Sequence, residues 1–63
     1  MRHPPGTEAH ARSRLTYWQR RIEASERGAD SRDPYFVALA YRMRDMWAGK
    51  VTQLELETWR RAA

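Results

Sequence analysis

The chain has no cysteine, a single phenylalanine, three glycines and three prolines among 63 residues. Without cysteine there is no disulfide staple and no thiolate zinc site. Long apolar runs are also missing. The longest, Tyr35 to Tyr41, is seven residues, against about 20 for a membrane-spanning helix. No apolar stretch follows Arg2, so no secretory signal is expected and a cytoplasmic setting is. Histidine is scarce. His3 and His10 are the only two, whereas a zinc site fixes three or four ligands. Ser13, Ser25 and Ser31 have no histidine or lysine at a telling spacing to activate them. The reading is therefore non-enzymatic, with no cofactor, no metal, no small-molecule substrate and no membrane association.

Charge and aromatic rings are what the chain does have. Lysine and arginine total 12 against eight acids, a net charge of +4. Lys50 is the one lysine, and such an arginine bias points to a GC-rich genome, bacterial or phage. Residues 1–32 hold seven basic and four acidic residues, and 33–63 hold five and four. The positive excess thus lies mainly in the first half, a bias toward nucleic acid or an acidic protein surface. With 41% hydrophobic and 32% charged residues, the composition is neither disordered nor membrane-like. A core of this size rarely supplies more than roughly 3–5 kcal/mol, so a small fold leans on a staple or a partner.

Pattern and punctuation predict an all-α fold of three helices, spanning 8–63 behind a flexible tail over 1–7. Pro4, Pro5 and Gly6 cannot propagate a helix. Thr7 is a candidate N-cap for a helix over about 8–27, in which Ala11, Leu15, Trp18, Ile22 and Ser25 form one stripe. Gly28 stands at its left-handed end. Asp33-Pro34 opens a second helix over about 34–48, since proline suits the first helical position. Phe36, Leu39, Ala40, Met43, Met46 and Trp47 make its apolar face, with Tyr35 at the edge. Gly49 then reads as a stop. Thr52-Gln53-Leu54-Glu55 fits a capping box, and Val51 and Leu56 fit the accompanying staple. A third helix over about 53–61, antiparallel to the second, follows. Trp18, Phe36, Trp47 and Trp59 are expected to fill the core.

Gly49, Val51, Thr52, Glu55 and Leu56 carry a resemblance to the short C-terminal (SHOCT) domain, over roughly residues 41–61. That family pairs two short helices around a Gly-x-Ile-Thr-x-x-Glu-Phe pattern. The resemblance implies a packing or assembly module without catalytic residues. Leu56 replaces the family's aromatic, and Leu54 falls at a usually polar place.

Two binding surfaces can be read from the residues. Val37 and Tyr41 lie one turn apart on what should be the back of helix two. With Leu54 and Arg44 they form the expected protein-binding or self-association surface of a regulator or assembly factor. The alternative is a nucleic-acid grip on helix one and the tail, using Arg12, Arg14, Arg20, Arg21 and Arg27, with Tyr17 for stacking. These arginines ring the helix rather than form one stripe. A helix-turn-helix centred on Gly49 fits poorly: Asp45 and Glu55 would occupy its small buried position and its apolar core position.

Overall fold

The protein is described from a computed structural model over residues 6–62. Two helices pack side by side: α1 over Glu8–Glu26 and α2 over Pro34–Ala62. At 1.5 Å per residue they are about 28 and 43 Å long, and α2 sets the 45 Å long axis of the molecule.

The first helix begins and ends where the sequence predicts. Thr7 is its N-cap, and the Thr7 side-chain oxygen accepts from the His10 amide at 3.2 Å. Gly28 follows the last turn with φ +81°, a conformation that costs L residues roughly 1–2 kcal/mol. The connection to α2 is held by side chains. Ser25 Oγ donates to the Ser31 carbonyl at 2.7 Å, and Arg32 donates to the carbonyls of Ser25 and Glu26. Asp33 then accepts from the Tyr35 amide, and Pro34 opens α2. Of the tail expected over 1–7, only Gly6 and Thr7 are among the described residues; His3 lies outside them.

The third helix is not there. The chain runs through Gly49 without a break, and the segments expected as helices two and three are one helix of 29 residues. Each part of the expected cap has another use. The Thr52 hydroxyl donates to the Ala48 carbonyl one turn back, as a threonine inside a helix does. The Glu55 carboxylate pairs with Arg12 on α1 instead of returning to Thr52. Val51 is buried. Holding Gly49 helical costs about 1 kcal/mol, and continuity keeps Val51 and Glu55 in register with α1. The hairpin of the SHOCT resemblance is accordingly not formed by these residues.

The core lies between the two helices. Trp18, Ile22 and Ala40 are buried, with Phe36, Met43 and Trp47 packed against them. Ala11, Trp18, Ile22 and Ser25 of the predicted stripe are buried, and Leu15 is half-buried. Trp59 is not in the core: it is 70% exposed, because no third helix folds back to cover it. The core is also imperfectly satisfied. The Nε1–H groups of Trp18 and Trp47 are buried with no acceptor among the described residues, and an unsatisfied buried donor costs about 1–3 kcal/mol.

Candidate interaction surface

The seam between the helices has two edges of different chemistry. On α1, His10, Arg14, Tyr17 and Arg21 follow one another at spacings of four, three and four, so they form one row. On α2 the same spacing links Phe36, Ala40, Met43 and Trp47, and a parallel outer row links Tyr35, Leu39, Arg42 and Met46. Two contacts pin the rows together at their ends. The Arg21 guanidinium lies 4.5 Å from the centre of the Phe36 ring. The His10 ring meets Trp47 edge-on at 5.6 Å. Arg14 and Tyr17, between the pins on α1, therefore flank the Leu39–Met46 stretch of α2.

This edge is apolar in the middle and cationic at the rim. Tyr35 is 79% and Met46 49% exposed, and Tyr17 and Leu39 are exposed too. Arg14 packs its guanidinium 4.9 Å from the centre of the Tyr17 ring. Arg14, Arg42 and Lys50 have no carboxylate partner among the described residues. Arg21 has one. It grips Asp30 at 3.0 Å and donates to the Tyr17 hydroxyl at 3.0 Å. Those two bonds, Asp30 first, raise the Arg21 pKa. The Arg21 hydrogen bond, helped by the Ser31 amide, holds the Asp30 carboxyl below its usual range. Arg21 thus closes the turn onto α1.

The opposite edge is acidic. Glu8, Arg12, Gln19, Glu23 and Glu26 share one stripe of α1 by their spacing. Tyr41, Arg44, Asp45 and Glu55 lie on the matching side of α2. Arg12 pairs with Glu8 at 3.7 Å and with Glu55. The Tyr41 hydroxyl donates to Glu26 at 3.1 Å. Arg44 pairs with Asp45 at 2.9 Å and packs over the Tyr41 ring. Five carboxylates (Glu8, Glu23, Glu26, Asp45 and Glu55) face the guanidinia of Arg12 and Arg44 here.

The expected surface of Val37, Tyr41, Leu54 and Arg44 is rearranged by this geometry. Val37 is half-buried, and Tyr41 is 36% exposed with its hydroxyl on Glu26 of α1. With Ile22, Ser25, Phe36 and Ala40 they line a small cavity of about 60 Å³ at the end of α1. Buried Ala40 presents only a methyl group, which lets the helices approach closely there, while Leu39 and Tyr41 on its two sides stay partly exposed. Leu54 is half-buried and lies 17 residues from Val37, about 25 Å along the helix, so the four make no single patch. Leu39 and Met46, expected in the core, belong to the exposed edge instead.

The nucleic-acid residues are divided as well. Arg12 is on the acidic edge, while Arg14, Tyr17 and Arg21 are on the basic one. Arg14 and Arg21 both pack on Tyr17, the ring expected to stack on bases. Arg20 lines a shallow groove of about 520 Å³ with Ser13, Thr16 and Tyr17 on the outer side of α1. Arg20 and Arg27 pair with no carboxylate among the described residues.

Among the described residues no helix is long and apolar enough to cross a membrane, and no group of three His, Asp or Glu side chains could hold a metal ion. No protein-family model matches the chain, and no curated protein or solved structure is detectably similar to it.

Proposed function

We propose that the protein is a small non-enzymatic binding module, a cytoplasmic regulator or assembly factor, that takes up an acidic amphipathic helix of a partner protein along its basic edge. One observation carries this reading. Tyr17, Tyr35, Leu39 and Met46 are exposed side by side, and the cations around them, Arg14, Arg42 and Lys50, lack carboxylate partners. Apolar area drives association, and a rim of one sign selects a partner of the other. Exposed aromatic and methionine side chains with arginine are the composition of binding surfaces. A two-helix core this small also gains from a third helix laid into its groove.

The test is titration of the intact protein, by calorimetry, with an acidic amphipathic helical peptide and with its lysine-substituted counterpart. The acidic peptide should bind and the basic one should not. Leu39→Asp with Met46→Asp should weaken binding by about 30-fold or more, the loss of about 2 kcal/mol at an interface centre. Equal binding of both peptides would sink the proposal. The same titration with duplex DNA and RNA tests the alternative. Binding there that collapses with added salt would favour a phosphate-contacting protein acting through Arg20, Arg27 and Arg14.

A further inference from the structure

The basic edge is not uniform along its length. Toward the Arg21–Phe36 contact it exposes Tyr17, Tyr35 and Leu39. At its other end the His10 and Trp47 rings meet, their centres 5.6 Å apart. Arg14 follows His10 by one turn of α1, and Lys50 follows Trp47 by one turn of α2. His10, Arg14 and Lys50 are all half-buried, and none has a carboxylate partner among the described residues. The acids nearest to them in the chain are engaged elsewhere. Glu8 and Glu55 face Arg12 on the opposite edge. Glu57, two turns beyond Lys50, accepts from the Gln53 side-chain amide at 3.5 Å. Two cations and an imidazole thus share this end of the groove with no anion to balance them.

We infer that this end of the groove takes the carboxylates of the partner helix, with His10 as a third, proton-dependent cation beside Arg14 and Lys50, so that binding tightens as pH falls. The inference rests on the basic edge being the binding surface. The imidazole is held in place from two sides: the Thr7 cap accepts from the His10 amide at 3.2 Å, and the ring lies against Trp47. Arginine and lysine stay charged through the neutral range, whereas imidazole changes charge between pH 5 and 8. A carboxylate set beside an imidazole favours its charged form. By reciprocity the protonated ring holds the carboxylate more tightly than the neutral one, and binding takes up protons. The sign is fixed by this: affinity rises from pH 8 to pH 6, a range in which the carboxylates of the partner stay ionised.

Calorimetric titration of the full chain with an N-acetylated amphipathic helical peptide bearing aspartates tests this at pH 8 and pH 6. The wild type should bind about fivefold more tightly at pH 6, the range of a partly exposed ion pair. The heats in two buffers of different ionisation enthalpy should show protons taken up on binding. His10→Gln should bring the ratio of the two affinities to about one and abolish the uptake. His10→Phe keeps a ring on Trp47 and should do the same, so it replaces the first variant if circular dichroism shows that glutamine loosens the fold. His3→Gln should keep the whole dependence. Lys50→Gln should weaken binding about threefold at both pH values, as the loss of one exposed partner does. A wild type that binds the peptide equally at the two pH values overturns the inference and leaves the binding surface standing. So does a dependence that survives His10→Phe. A peptide that binds at neither pH sinks the surface itself, and the inference with it.

Discussion

Chain direction reverses at Gly28 and runs straight on through Gly49, although both glycines sit at the end of an amphipathic stretch and precede a candidate cap. The two junctions differ in what surrounds the glycine. After Gly28 comes Pro34, which cannot continue a helix begun before it. The intervening residues also have substitutes for helical hydrogen bonds: Ser25 bonds Ser31, Arg32 bonds the last carbonyls of α1, and Arg21 anchors Asp30. At Gly49 there is no proline. The residues that would form a cap do better elsewhere, Thr52 on Ala48 and Glu55 on Arg12. Glycine and a capping box permit a helix end; proline and a side-chain network enforce one.

The sharpest way to break this comparison is Gln53→Pro. If a new helix began after Thr52, residue 53 would be its first position, where proline is favoured. Inside one continuous helix the same change removes a backbone bond and costs about 3 kcal/mol or more. Thermal melting should then fall by well over 10 °C, at roughly 4–8 °C per kcal/mol. A melting midpoint within a degree or two of wild type would mean that α2 is interrupted there after all.

The two glycines themselves come next in size, and with opposite signs. Gly28→Ala places a Cβ on a residue with φ +81° and 3.4 Å from the Arg32 guanidinium, so it should destabilise by about 1–2 kcal/mol. Gly49→Ala meets nothing within 4 Å and removes a helix-interior glycine, so it should stabilise by up to about 1 kcal/mol. Urea midpoints of the two variants against wild type decide it. Same-sign shifts would show that the two junctions are alike.

The comparison also explains what was legible in the residues. Both ends of α1 and the start of α2 could be read because Thr7, Gly28 and Asp33-Pro34 act locally, through their own backbone. The continuity of α2 could not, because it is decided by Val51 and Glu55 meeting α1, a contact between distant parts of the chain. Trp59 was misplaced for the same reason: its size argues for burial, but no element lies opposite it. The basic residues and aromatics of the binding surface were recognisable by type. Their sorting into a basic and an acidic edge depends on which flanks of the two helices meet, which the Arg21–Phe36 and His10–Trp47 contacts fix. Tyr41 could not be assigned from spacing, because its hydroxyl bond to Glu26 depends on where α1 lies along α2.

The smallest expected effect is the pH dependence of the true turn. Asp30 is held below its usual pKa, first by the Arg21 hydrogen bond and then by the Ser31 amide. A carboxylate whose pKa is depressed by folding stabilises the fold fully above the unfolded value near 3.9, and that stability fades as pH falls toward the folded value. Arg21, with its pKa raised, stays charged throughout and adds no step of its own. Asp30→Asn should therefore lower the melting midpoint near neutral pH. The gap to wild type should narrow from about pH 5 downward and close in acid, where both side chains are neutral. The effect is modest because the pair is partly open to water and screened by salt. The junction at Gly49 has no such carboxylate, so Gly49→Ala should keep a constant offset from wild type across the same range. A gap for Asp30→Asn that does not change with pH would show that Asp30 holds the turn by shape and not by charge.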